Sequence, residues 1–301
     1  MTVEFAFGEA GDVSQGKLNL GLPLLAGERR AAVGGPVEPA RSEGGLALWR
    51  GRGLMVGHSR SNGGAALETA TADIYARILS ASRGLNIYRI WNVVPKINSP
   101  GPGGLENYQA FCRGRSLAFE ANLGNAFCAS LPAASAVGTA GDELAVAFVA
   151  GSRPTRHFEN PAQVPAYRYP AEHGPRPPSF ARATAAGEGP AMDVFISGTS
   201  SVVGHETVAP GDTRGQLECT FENLRLISVA SGLGERLGEG APSKRHFKVY
   251  IRHASDLPLV AAQVEQRLLA PGDKVTYLGA DICRAALNVE IEVTVRGSDK
   301  S

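Results

Sequence analysis

The chain has 301 residues, 43% hydrophobic and 20% charged, enough apolar material for one large core or two ordinary domains. Thirty Lys and Arg face 29 Asp and Glu, and the net charge of +1 argues against nucleic-acid or membrane-surface partners recruited by bulk electrostatics. No run approaches the roughly 18 apolar residues of a membrane span. The opening MTVEFAFGEAGD lacks the basic and apolar regions of a signal peptide, so a soluble, cytoplasmic protein is expected. Cys112, Cys128, Cys219 and Cys283 form no CxxC pair and read as reduced thiols, with no metal expected.

Residues 1–50, rich in Gly, Ala, Pro and Arg, read as an irregular arm with one strand near Val3 to Phe7. Ordered alternation begins at about residue 51 and predicts strands at 54–58, 86–92 and 143–149, with helices at 68–82 and 105–121. The segment 153–190 is dense in Pro, Tyr and Arg and reads as a connecting loop with a functional part to play, because a passive spacer has little need of rings beside arginines. From 191 the order repeats: strands at 193–197, 247–252, 274–278 and 289–295, helices at 215–233 and 257–269. LMVGHS at 54–59 lies opposite VFISGT at 194–199, NIYRIWN opposite FKVYIRH, and the last strand of each half runs into a glycine, Gly151 or Gly297. An internal duplication with a period near 140 residues accounts for this, giving units at 51–152 and 191–301 in an α/β (α+β) fold.

The last strand carries the most chemistry. Val289, Ile291 and Val293 share one face and Glu290 and Glu292 the other. Periodicity alone makes that a solvated acidic face. The repeat argues otherwise: aligned on the terminal glycines, Glu290 and Glu292 fall opposite Leu144 and Val146, so one copy holds carboxylates where the other is apolar. Two carboxyl groups at i and i+2 on one face repel, and one of them can keep a proton near neutral pH. Cys283, seven residues earlier, comes close if the flanking strands form a hairpin, although a lone cysteine is more often a small buried hydrophobe. Gly198-Thr199-Ser200-Ser201 is a weak candidate for an anion-cradling turn, and His205 has no partner at metal spacing and reads as structural. Arg115, Arg168, Arg176 and Arg182, with Tyr108, Tyr167 and Tyr169 nearby in sequence, suit a dicarboxylate with an apolar ring, where singly each arginine would be a surface ion pair.

The ordered set VFISGT, GQLECTFENL, FKVYIRH and NVEIEV resembles a RidA (YjgF) superfamily domain. YRIWNVVPKIN at 88–98, ENYQAFCRGRSLAF at 106–119, NPAQVPAYRYPAEHGPRPPSFARA at 160–183 and SGTSSVVGHET at 197–207 narrow the likeness to the chorismatase family, over roughly residues 85–301. That resemblance implies two RidA-like repeats, mixed sheets packed with helices around a chorismate-mutase-like barrel interface, and the catalytic unit in the second repeat. It implies cleavage of the enolpyruvyl ether of chorismate to pyruvate, without a cofactor, with Glu290 as the acid that protonates the methylene carbon. By motif position it makes Tyr108, Arg115, Tyr167, Arg168 and Tyr169 binding residues, with Arg176, Arg182, Gly198, Thr199, Tyr250 and Arg252 as further members. Cys283 looks like the 3-hydroxybenzoate synthase type, and a dihydroxycyclohexadiene carboxylate is the hydrolytic members' product. Ser200 departs from the alanine or glycine usual after SGT in both types and leaves room for a different regiochemistry or a modified chorismate. A monomer and a trimer are both compatible with the duplicated fold. An imine or enamine hydrolase and a non-catalytic sensor of aromatic carboxylates are the alternatives; neither explains the 160–183 segment together with the VEIE pair.

Overall fold

A strand buried on both faces cannot alternate polar and apolar residues, and the near-continuous apolar run ELAVAFVAG of Glu143–Gly151 announces such a strand. The computed structural model, which describes residues 1–8, 11–62, 67–239 and 243–298, places it inside a six-stranded sheet. The order is Arg41–Glu43, Leu46–Gly51, Leu54–Asn62, Glu143–Gly151, Asn86–Pro95 and Ala133–Thr139. A seven-stranded sheet follows in the second half, ordered Thr155–Phe158, Ala183–Ala186, Asp193–Thr199, Val289–Arg296, Lys244–Ile251, Lys274–Gly279 and Leu24–Gly27. The helices are α1 (Leu67–Ala81), α2 (Asn107–Leu123), α3 (Thr213–Ala230) and α4 (Leu257–Arg267).

The two halves share a wiring diagram. In each, the last strand lies antiparallel between the first strand and the second, and the second pairs in parallel with the strand beyond it. A parallel pair needs a crossover, which α2 supplies in the first half and α4 in the second. Ile74, Ile78, Phe111 and Phe119 of α1 and α2 pack on Leu144, Val146 and Phe148, while Leu217, Leu224, Val260 and Val264 of α3 and α4 pack on Val289, Ile291 and Val293. The opposite faces meet: Val56, Trp91, Ala145, Ala147 and Val149 share one buried cluster with Phe195, Tyr250 and Leu278. The result is a mixed α+β fold in which the sheets face each other across the expected barrel-like interface and the helices lie outside.

Three expectations are corrected. Residues 1–50 are not an irregular arm. Val3–Ala6, Lys17–Leu18 and Arg30–Gly34 form a small sheet whose Val3, Phe5, Leu18 and Val33 enter the inter-sheet core, and the remaining strands there extend the two large sheets. Strands of two to six residues are too short to show a period, and the glycines and prolines of their turns dominate the composition. The 153–190 segment likewise contains two strands, Thr155–Phe158 and Ala183–Ala186, that belong to the second sheet. Finally, aligning the repeats on their glycines is off by one. Leu144 and Val146 face the helices, whereas Glu290 and Glu292 lie on the strand face opposite the helix-packed Val289, Ile291 and Val293. Pairing through the second strand sets Glu292 (opposite Lys248) against Ala147 (opposite Trp91), and Glu290 against Ala145. The contrast of carboxylate with apolar side chain stands, with alanines as the counterparts.

Candidate active site

Glu290 and Glu292 point from the Val289–Arg296 strand into the space between the sheets, 3% and 2% exposed, yet their surroundings differ completely. Glu292 is enclosed by donors. Arg89 Nη2 at 2.6 Å and the Tyr250 hydroxyl at 3.0 Å donate to Oε2, and Trp91 Nε1 and Lys248 Nζ, both at 2.7 Å, donate to Oε1. Burial alone would raise its pKa, but Lys248 and Arg89 outweigh burial and hold it at about 2. This carboxylate is ionised at neutral pH. Two of its four donors come from the Asn86–Pro95 strand of the first half.

Glu290 has almost nothing. The Ser200 hydroxyl lies 3.4 Å from Oε2, and Oε1 is buried without a hydrogen-bond partner among the described residues. Burial, and after it the charge of Glu292, pushes its pKa up to about 8. A carboxylic acid therefore persists here at neutral pH, with one oxygen free to act. Gly198 makes the space for it: a Cβ on that residue would lie 1.9 Å from Glu290 Oε1. The pairing with the Val289–Arg296 strand shifts between Ile196 and Thr199, so the chain bulges where the carboxyl sits.

Glu290 opens on a cavity of about 250 Å³ lined by both halves. Tyr108, Gln109 and Arg115 come from α2, Ser135 and Ala136 from the first sheet's edge strand, and Gln163, Tyr169, Phe180 and Arg182 from the connecting segment. Gly198, Ser200, Cys283, Arg284 and Leu287 also line it, as do Glu172 and His173. Arg115 is buried over the Phe111 ring, and Arg182 is buried between Phe180 and Tyr169, whose hydroxyl accepts from Arg182 Nη2 at 2.7 Å. Each keeps its Nε without a partner among the described residues. Two desolvated guanidinium groups on one small cavity are an unsatisfied demand for anions.

The Cys283 thiol lines the same cavity, with its pKa pushed up to about 12 by burial and then by Glu290, so it is a neutral thiol and not a nucleophilic thiolate. The hairpin expected to bring it to Glu290 does not exist. Lys274–Gly279 and Val289–Arg296 flank Lys244–Ile251 on opposite sides, and the 280–288 loop crosses the end of that strand instead. Arg252 secures the loop, donating to Asp281 Oδ1 and to the carbonyls of Ile282, Arg284 and Leu287.

Of the other expected residues, several do not reach the cavity. Arg252 is occupied as described, and Tyr250 by Glu292. The Thr199 hydroxyl donates to the Ser197 carbonyl at 2.9 Å, and Thr199 does not line the cavity. Arg176 pairs with Glu120 at 2.9 Å, and Arg168 lies over the Tyr167 ring, which itself packs against the first half's core. Neighbouring residues along an irregular segment point in different directions, so sequence proximity did not equate to a shared site. The residues that sequence reasoning passed over are Arg89, Trp91 and Lys248 around Glu292, and Gln163, Phe180 and Arg284 in the wall. Arg89 did leave a signal: it is the one charged residue in the Asn86–Pro95 strand, and a buried cation demands an anion across from it. Lys248 did not stand out, because Lys244 and Arg245 share its strand.

Residues 32–150 match a family profile described as chorismatase FkbO/Hyg5-like, N-terminal. A 3-hydroxybenzoate synthase of Streptomyces hygroscopicus is 40% identical over 222 residues, 70% of this chain and 63% of that protein's length. A chorismatase of Streptomyces rapamycinicus is 37% identical over 270 residues, 87% of this chain and 80% of the relative. The chain belongs to the chorismatase family. A solved chorismatase structure superposes with a TM-score of 0.81 at 31% identity, over 98% of this chain and 92% of the other. Within this chorismatase fold, no helix among the described residues is long and apolar enough to cross a membrane.

Proposed function

We propose that this chain cleaves the enolpyruvyl ether of chorismate to pyruvate and 3-hydroxybenzoate, with Glu290 as the general acid. The observation that carries the reading is the pair of adjacent buried carboxyl groups driven in opposite directions, Glu290 up to about 8 and Glu292 down to about 2. A proton donor working at neutral pH needs a raised pKa, and a developing cation next to it needs a fixed negative charge.

In this mechanism Arg115 and Arg182 take the two substrate carboxylates, with Tyr108, Tyr169 and Phe180 against the ring. Glu290 gives its proton to the terminal methylene carbon of the enol ether, which becomes a methyl group. The positive charge left on the ether-bearing carbon is stabilised by the Glu290 carboxylate and by ionised Glu292. When water attacks that carbon, the bond to the ring oxygen breaks, a proton passes to that oxygen, and pyruvate departs. When the neighbouring ring hydroxyl attacks instead, the original ether bond breaks and pyruvate leaves with the attacking oxygen as its bond to the ring carbon breaks and a ring proton is lost. Water added in cleavage and water lost on aromatisation cancel in the overall conversion to 3-hydroxybenzoate. Cys283 in the wall supports the 3-hydroxybenzoate product, and Ser200, with its hydroxyl beside Glu290, is the feature that would favour hydrolysis without aromatisation. Tyr250, Arg252 and Thr199 act as positioning residues; Tyr167, Arg168 and Arg176 brace the connecting segment.

The test is pyruvate release from chorismate, coupled to lactate dehydrogenase, with chromatography of the ring product. Rapid release that Glu290→Gln abolishes supports the reading, and the ring product decides between the two outcomes. Absence of release above the uncatalysed background refutes it.

A further inference from the structure

We infer that Glu172, His173 and His205 form a binding site for one divalent cation of the zinc class at the mouth of the cavity. Glu172 and His173 lie in a single turn of 3-10 helix, Ala171–His173, in the connecting segment. His205 lies between the two-residue strands Val202–Val203 and Glu206–Thr207. Thirty-two positions separate the two histidines, so no local motif spells the site and only the folded chain assembles it.

The spacing of the ligand atoms carries the inference. His173 Nε2 is 3.1 Å from His205 Nδ1, His205 Nδ1 is 3.3 Å from Glu172 Oε1, and His173 Nε2 is 3.6 Å from the same oxygen. Ligands held about 2.0–2.1 Å from a tetrahedral zinc stand about 3.3–3.4 Å from one another, against about 3.0 Å for neighbours around an octahedral ion of that size. The three observed separations straddle the tetrahedral edge. A single ring nitrogen carries either one proton or one lone pair, yet the His173 imidazole and the Glu172 carboxylate converge on His205 Nδ1. One hydrogen bond satisfies one of those two contacts; a cation satisfies both.

Two imidazoles and a carboxylate are a donor set that zinc accepts readily. The Tyr169 ring backs both histidines, with centroids 5.2 and 6.4 Å away, and Glu172, 59% exposed, leaves the ion an approach from solvent. His205, taken from sequence as structural, thus acquires partners from the connecting segment. A bound ion would tie that segment to the 202–207 hairpin beside the cavity and hold the Tyr169–Arg182 wall in place.

The experiment uses the full chain without a histidine tag, stripped with a chelator, dialysed, and titrated calorimetrically with zinc chloride. Uptake saturating at one ion per chain, roughly 100-fold weaker in His205→Ala, is expected. Glu172→Gln, at an exposed position where folding is not at stake, should weaken uptake roughly 10-fold. Cobalt should give the strong visible bands of a tetrahedral site in the wild type and not in His205→Ala, with circular dichroism verifying that both variants are folded. No saturable uptake by the wild type, or equal uptake by wild type and His205→Ala, overturns the inference and leaves an ordinary histidine–histidine hydrogen bond.

Discussion

Replacing Gly198 with alanine puts a methyl carbon where the Glu290 carboxyl already is. The new Cβ would stand 1.9 Å from Oε1, 2.5 Å from Cδ and 3.2 Å from Cγ, against an ordinary contact of about 3.5 Å. Gly198 is not among the glycines with positive φ, so the conflict is one of space rather than backbone conformation. The carboxyl must retreat by about 1.5 Å, and overpacking of this kind costs about 1–3 kcal/mol. Misplacement of a reacting group by about 1 Å lowers a rate roughly 100-fold, so pyruvate release should fall at least that far while the protein stays folded. Gly57→Ala is the matched control. Its Cβ would meet the Phe148 ring at 2.0 Å, yet Gly57 does not line the cavity, and so stability should suffer as much while the rate per folded molecule changes little. Both variants would be compared by coupled pyruvate assay and thermal unfolding. A Gly198→Ala enzyme with wild-type kcat would refute the placement of Glu290 as the reacting acid.

Three further outcomes follow from the same geometry. Glu290 has a folded pKa of about 8 against an ordinary 4.5, so the folded state binds the extra proton and loses stability as pH rises through that window. Glu290→Gln should therefore abolish turnover yet raise the melting temperature more at pH 8 than at pH 5, with up to about 3 kcal/mol at stake near pH 7; an equal shift at both pH values would contradict the raised pKa. In the wild type, kcat should decline above about pH 8 as that acid ionises, which a pH–rate profile checks. Lys248→Met leaves Glu292 with one cation fewer in a buried setting and should cost about 3–5 kcal/mol in urea denaturation, where a loss below 1 kcal/mol would mean the pair is not desolvated.

The carboxylate pair was readable because strand alternation is strict and because the duplicated pattern supplied a comparison: one copy apolar, the other acidic. What alternation could not give was the electrostatic difference between the two. That depends on Arg89 and Trp91, about 200 positions away in sequence, and on which carboxyl they reach. The helices and central strands were legible for the same reason, each being long enough to show its period. Apart from Val3–Ala6, which was expected, the short strands before residue 51 and the Ala133–Thr139 strand were not, because alanine-rich or two-residue strands have no pattern to see and take their structure from the neighbour they pair with. Cys283 illustrates a different limit. Its place beside Glu290 was anticipated, but by a hairpin that the parallel pairing of Lys244–Ile251 with Lys274–Gly279 rules out.

The cage around Glu292 spans the two sheets, two donors from each. In consequence, the acid strength of Glu290 is not a property of the half that contains it. Loosening the first sheet near Arg89 and Trp91 would disturb both the Glu292 charge that adds to burial in raising the Glu290 pKa and the Arg89 charge that opposes it, and the injury would register as a displaced pH optimum. The two halves are thus joined by a shared titration as much as by a shared core, and neither could be exchanged for a foreign copy without retuning the other.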